Sequence, residues 1–410
     1  MAFAALSPLR HRSFAFAVGS SFVSSIGTWM QAVALGIYLF ETTRNPEWLS
    51  WVTVAAWLPA IIGSPVGGAV ADRWNRQRWI QLNNLIMALC ATTLATLYYL
   101  HHLSPGVVLV LAMVEGLSSS SSWAAWQSLM PDLVGPDEVL GAVSLSSAQF
   151  NLGRIIGPVW ATVLLTFGPV SLCFVANAVS FVVVMVAFAF VRTTPRPPKT
   201  TPFRLVGDIR EGARAAVGNA ACRTAIIGVA LVAVVIAPFI QFIPAMAIGV
   251  FNAGKTGTSW LVTAQGVGAV LAAFAVPTLA RRTSRATVLR GTLVLLTISI
   301  VGYGLAPSIG WAIAMMVLSG AAYMGTLNGL NATVQLHAPR GERSRVLSLY
   351  TLALSVGYPL GCAIQGVLAH TVTTLPVVTT ISGVVGMVGV GALLLRRRAF
   401  DVMGAPVVTA

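Results

Sequence analysis

The chain has 410 residues, of which 56% are hydrophobic and 9% charged, with a mean hydropathy of +0.83. Soluble folds carry about a quarter charged residues, so a soluble enzyme, a secreted disulfide scaffold and a disordered chain are excluded, and a polytopic membrane protein remains. The formal charge of +14 would suggest nucleic acid in a soluble chain. Here the basic residues lie between apolar runs, where they hold loops on one side of a membrane, and no nucleic-acid partner is expected.

A helix crossing about 30 Å of hydrocarbon needs about 20 apolar residues. Twelve such stretches follow in order, near 14–40, 48–71, 79–100, 106–130, 140–166, 169–191, 222–249, 258–280, 286–306, 309–335, 345–370 and 375–395. The first exceeds a signal-peptide apolar region and stays as span 1. With the N-terminus inside, 22 of the 25 basic residues fall on cytoplasmic loops and tails; Arg44 and Lys255 fall outside and Arg154 within a span. That asymmetry puts both termini in the cytoplasm. Cys90, Cys173, Cys222 and Cys362 fall singly in four apolar runs, without metal-site or disulfide spacing; they read as core residues, and no metal is expected.

The longest polar interruption begins with Pro195, Pro197, Pro198 and Pro202 and continues as a basic, weakly amphipathic segment. It divides the chain into a six-helix bundle over 1–191, a linker over 192–221 and a second six-helix bundle over 222–410. The halves echo each other. Gly68-Ala-Val-Ala-Asp72-Arg73-Trp-Asn-Arg76 recurs in degraded form as Pro277-Thr-Leu-Ala-Arg281-Arg282-Thr-Ser-Arg285, and Gly157-Pro158 of span 5 reads as matched by Tyr358-Pro359 of span 11. Parallel six-helix repeats place a cargo cavity near the membrane midplane.

On these residues the chain resembles a major facilitator superfamily transporter over its full length. Within that superfamily it resembles the bacterial exporter branch of the enterobactin exporter and the transmembrane secretion effectors. The branch resemblance is carried by Gln127-Ser-Leu-Met-Pro131-Asp132-Leu-Val, Gly153-Arg154-Ile-Ile-Gly157-Pro158, Asn177-Ala-Val-Ser180-Phe181 and Asp208-Ile-Arg210-Glu211-Gly212. It implies an all-α membrane protein of twelve helices in two six-helix bundles, resident in the bacterial cytoplasmic membrane, monomeric, and without cofactor. Gly68, Asp72, Arg73 and Arg76 match the superfamily's loop 2–3 signature, with Asn75 where glycine is usual. The resemblance implies that this signature latches the halves on the cytoplasmic side, the Asp72 carboxylate meeting the N-terminal end of span 11 near Ser344 and Arg345. Gly153, Gly157 and Pro158 resemble the span 5 pattern of antiporters, although Trp160 and Ala161 replace its trailing glycines.

Glu115 is the only acidic residue placed inside a span, and Arg154 the only basic one. Such placements are expensive and usually face a cavity or a partner. Counted at 1.5 Å per residue, both lie about 21 to 23 Å from the inner surface on adjacent antiparallel helices, so an ion pair between them is expected. Two roles stay open for it: proton exchange at Glu115 tuned by the neighbouring cation, or a structural pair that lets two charges be buried. Helical spacing puts Glu115, Ser119, Ser122 and Trp126 on one face of span 4. Thr28 and Gln31 of span 1 and Asn151 of span 5 extend this polar set, and Gln241, Gln265, Asn328 and Tyr358 offer a neutral wall in the second half. These are the candidate cargo-lining residues, with interhelical hydrogen bonding as the plainer explanation of each.

The expected function is a secondary active transporter, not an enzyme, exporting small lipophilic molecules such as drugs, siderophores or natural products by alternating access, with proton antiport. An uptake carrier or uncoupled facilitator, and a transport-dead sensor or assembly protein on the same scaffold, are the alternatives. Small-molecule cargo, protons and the lipid bilayer are the expected partners.

Overall fold

The computed structural model describes residues 7–135, 138–191, 214, 216–339 and 342–395, and their side chains apart from those of Asp72, Leu140 and Ser344. Most of the expected linker, with its Asp208–Gly212 motif, lies outside the described residues.

The described residues are all-helical and include twelve helices long and apolar enough to cross a membrane. We label these α1 (Arg12–Thr43), α2 (Pro46–Trp57 and Ala60–Arg73), α3 (Arg76–Tyr99), α4 (Pro105–Leu133), α5 (Val139–Phe167), α6 (Ser171–Ala189), α7 (Ala220–Val250), α8 (Gly254–Arg282), α9 (Arg285–Gly304), α10 (Ile309–His337), α11 (Arg343–Thr371) and α12 (Leu375–Leu394). Local chemistry sets several starts. The side chains of Asn75, Ser104, Ser284 and Ser308 each accept a hydrogen bond from the backbone N–H three residues on, which satisfies a donor that a helix start leaves open.

Contacts group the chain into two compact units, residues 1–43 with 51–203, and residues 44–50 with 204–410. In the first, α1 packs on α5 and α6, α4 on α2 and α3, and α3 on α6. Phe14, Trp126, Leu129 and Phe188 are among the residues of its buried core at the arginine-rich end of the helices. In the second, α10 packs on α8 and α9, α9 on α12, and α7 on α10 and α11.

The repeat seen in the sequence has a definite register. Gly116 of α4 and Gly320 of α10 occupy equivalent places: a Cβ on either would lie 2.1 Å from the carbonyl oxygen of Ala56 or 2.0 Å from that of Gln265. The 29-residue helices α4 and α10 therefore align Asp132 with Leu336, and the Ala56–Gln265 match aligns Arg76 with Arg285, each at the head of its helix. Helices α5 and α11 also have 29 residues each and follow Glu138 and Glu342 in the same backbone conformation. This register corrects one reading of the sequence. The counterparts of Gly153 and Gly157 are Gly357 and Gly361, because helix length sets the alignment, and Tyr358-Pro359 lies three residues before the place that matches Gly157-Pro158.

Helix α7 departs from the uninterrupted span its apolar run predicts. Pro238 has no N–H for the Val234 carbonyl, and the helix passes through π turns at Val232–Ile236 and Met246–Val250 around a 3₁₀ turn at Ala237–Ile240. Gln365 of α11 donates to the carbonyl of Val235 at 2.7 Å, beside that of Val234 at 3.5 Å.

Candidate functional site

Three helices of the first unit bring a polar cluster together in an apolar bundle. Gln31 of α1 donates from Nε2 to both carboxylate oxygens of Glu115 on α4, at 3.0 and 2.9 Å. Its amide oxygen accepts from Asn177 Nδ2 of α6 at 2.9 Å, and Asn177 Oδ1 accepts from Ser180 Oγ at 3.0 Å. Gln31, Asn177 and Ser180 are buried, and Glu115 is half-buried. The amide donors run one way, from Asn177 through Gln31 to the carboxylate, while the one Ser180 hydroxyl proton is shared between the Asn177 backbone carbonyl at 2.7 Å and Oδ1 at 3.0 Å. An ionised carboxylate can only accept, so the chain as it stands matches that form.

The expected pair between Glu115 and Arg154 gives way to other contacts. Glu115 is held by Gln31, while the Arg154 guanidinium lies over the Trp29 ring, 5.3 Å from its centroid, a cation–π arrangement. Equal depth along two helices does not specify which way each side chain turns. Gly153 and Gly157 mark the crossing of α5 with α1, where an added Cβ would meet Ser25 Cβ at 2.5 Å and Trp29 Cβ at 2.6 Å.

Trp126, expected on a cargo-lining face, is 5% exposed. Its indole N–H donates to Ser146 Oγ at 3.0 Å and its ring packs between Phe14 and Phe188, so it belongs to the core. Thr28, Ser119 and Asn151 are exposed and Ser122 is half-buried; Asn151 donates to the carbonyl of Ser147 at 2.8 Å. In the second unit Gln241 donates to the Leu49 carbonyl at 2.9 Å, Gln265 and Tyr358 are half-buried, and Asn328 is exposed.

At the arginine-rich end of the first unit, Arg76 donates to Asp132 Oδ2 at 2.6 Å and to the carbonyls of Ser128 and Ala71 at 3.1 Å each. This ties the head of α3 to the ends of α4 and α2. Arg73 is exposed and Gly68 half-buried; the side chains of Asp72 and Ser344, on which the expected latch rests, lie outside the described residues. Asp132, Asn177 and Ser180 were visible within quoted motifs, without a partner assigned. The spacing of three that puts Asn177 and Ser180 on one helical face was the available signal.

Residues 3–405 match the transmembrane secretion effector family of the major facilitator superfamily. The chain belongs to that family. This transmembrane secretion effector is 25% identical to the multidrug efflux pump Tap of Mycolicibacterium fortuitum over 87% of this chain and 89% of Tap. It is 23% identical to the enterobactin exporter EntS of Citrobacter koseri over 94% of this chain and 91% of EntS. A match at 28% to the staphyloferrin A transporter of Staphylococcus aureus spans 40% of this chain and 41% of that protein. Among solved structures, a bacterial homologue of the human lysosomal transporter Spinster, inward-facing and occupied, aligns with a TM-score of 0.76 at 15% identity over 97% of this chain and 99% of that one. The nucleoside transporter NupG aligns with a TM-score of 0.74 at 14% over 93% and 98%. The fold is thus the major facilitator fold, and this transmembrane secretion effector is a transporter rather than an enzyme, a multi-pass protein of the bacterial inner membrane with a small-molecule substrate.

Proposed function

We propose that the chain exports small lipophilic molecules by alternating access in exchange for protons, with both termini cytoplasmic and Glu115 as the proton-exchanging group. The observation that supports this is the directional hydrogen-bond chain ending on the Glu115 carboxylate. A protonated Glu115 carries an O–H that needs an acceptor. The Gln31 amide oxygen becomes that acceptor only when the amide turns over, which releases Asn177 and its hydrogen bond between α1 and α6. Proton loading is thereby coupled to helix contacts inside the bundle, the kind of bistable element a transport cycle uses. The efflux pump and exporter among the relatives favour the export direction. Thr28, Ser119, Ser122 and Asn151 in the first unit and Gln265 and Tyr358 in the second are the proposed cargo contacts. Arg154, on its aromatic shelf, is proposed to sense the charge of Glu115 across the bundle.

The test is purified protein in proteoliposomes with an imposed pH gradient. Glu115→Gln keeps shape and hydrogen bonding and cannot ionise, so gradient-driven accumulation is lost while exchange of cargo down its own gradient remains. A well-folded Glu115→Gln protein with wild-type pH dependence overturns the assignment.

A further inference from the structure

The two halves treat equivalent positions differently, and the difference leaves a cavity. In the first unit Arg76 bonds Asp132, Ser128 and Ala71. In the register of the repeat the corresponding residues are Arg285, Leu336, Ala332 and Ala280, and all four line a cavity of about 210 Å³ between α8, α9 and α10. The space taken in the first half by an internal ion pair is thus preserved in the second around its arginine, while the carboxylate has become leucine.

The cavity has a charged end and an apolar length. Arg285 and His337 stand at its mouth, the first residue of α9 and the last of α10. The turn between α8 and α9, Thr283-Ser284, carries no acidic residue. From His337 the lining runs along α10 to Gly325, twelve residues or about 18 Å, with Val276, Val288 and Leu289 among its apolar walls.

We propose that this groove holds an anionic phospholipid of the cytoplasmic leaflet. Arg285 donates to the head-group phosphate where Arg76 donates to Asp132, and an acyl chain follows the apolar wall. A guanidinium matches a phosphate's paired oxygens as it matches a carboxylate's, and in the orientation proposed above the arginine-rich ends of the helices face the cytoplasmic leaflet, where anionic lipid gathers near basic residues. A phosphate diester with a hydrocarbon tail satisfies both parts of the cavity, whereas free phosphate satisfies only its mouth.

Native mass spectrometry of the full-length protein in detergent tests this with dioleoyl phosphatidylglycerol, dioleoyl phosphatidylcholine and inorganic phosphate as probes. Wild type retains phosphatidylglycerol over phosphatidylcholine by roughly tenfold, because both offer the phosphate but the choline cation of the second sets a like charge beside Arg285. Arg285→Gln loses that preference, and so does Leu336→Asp, which supplies the carboxylate from within and leaves the arginine in place. Arg282→Gln, outside the cavity, keeps it and controls for general attraction should Leu336→Asp fail to fold. Equal retention of the two lipids by wild type, an unchanged preference in Arg285→Gln, or an equal loss in Arg282→Gln overturns the site. Displacement of phosphatidylglycerol by inorganic phosphate at matched concentration overturns the lipid assignment.

Discussion

The arginine-rich ends of the two units share one backbone plan and use it differently. Arg76 heads α3 and closes on Asp132 with its guanidinium, 15% exposed in the side chain against 7% for the acid; Arg285 heads α9, is exposed, and faces leucine at the matching place. The same contrast runs into the bundles. The first unit gathers Gln31, Asn177 and Ser180 into a polar cluster that ends on a carboxylate. In the second, Gln365 donates to the backbone of α7 beside the break at Pro238, chiefly to the Val235 carbonyl. The helix register is thus shared while the polar roles differ, and the unit that holds Glu115 and Asp132 is the one in which proton exchange is proposed.

The largest effect in this comparison belongs to the buried pair. Asp132→Leu removes one partner and strands the Arg76 guanidinium, a loss of about 3–5 kcal/mol, whereas replacing both partners by apolar residues is often close to neutral. Thermal melting in detergent therefore shows Asp132→Leu well below wild type and Arg76→Leu with Asp132→Leu recovered toward it. The matching change in the other half, Arg285→Leu, costs under about 1 kcal/mol because that arginine is exposed. Equal losses for Asp132→Leu and Arg285→Leu would erase the asymmetry.

A smaller loss is expected in the cluster. Asn177→Ala leaves the buried Gln31 carbonyl without its donor and lowers stability by about 1–2 kcal/mol, within the range for interhelical hydrogen bonds in membranes. It also frees the Gln31 amide to turn, so the pH profile of transport changes along with stability. Gln365→Leu in the second unit costs about 1 kcal/mol or less and leaves the pH profile alone. A pH profile unmoved by Asn177→Ala would make the cluster purely structural.

What was legible in the sequence follows from which coordinate each signal carries. Apolar length and capping residues such as Ser104 and Ser308 are local, so twelve spans and their approximate ends could be read directly. Glu115 and Gln31 stood out as polar residues in apolar runs, but residue counting gives position along a helix and not the direction around it. That is why Glu115 was matched by depth to Arg154 while Gln31 holds it. Trp126 shares a helical face with Glu115, yet about three turns further along that face is covered by Phe14 and Phe188. The break in α7 was signalled by Pro238 and Pro244 and masked by an apolar run that continues through it with Gln241 between the two prolines. Arg76 and Asp132 lie 56 positions apart, and no local pattern joins them.

The smallest effect concerns the one feature of the first unit that precedes its bundle. A 3₁₀ turn at Ser7–Arg10 leads into α1, and Glu138, just before α5, pairs with His11 Nε2 at 2.5 Å. A hydrogen bond from Ser7, then one from His11, holds the Glu138 carboxyl below the usual carboxylate range. The sign follows from linkage: a group whose folded value is depressed contributes stability that is fully present above its unfolded value, about 4.3 for a glutamate, and is lost as pH falls through the lower folded value. The anchor therefore persists through the neutral and mildly acid range and releases only in stronger acid. Glu138→Gln removes that acid response while the bundle itself melts as before. Limited proteolysis of the N-terminal segment between pH 7 and pH 3 reads it: wild type becomes more susceptible only toward the acid end, and the glutamine variant is equally susceptible throughout. Cleavage of wild type that rises already between pH 7 and pH 5, or a glutamine variant that keeps the acid response, would mean that a group other than Glu138 governs the turn.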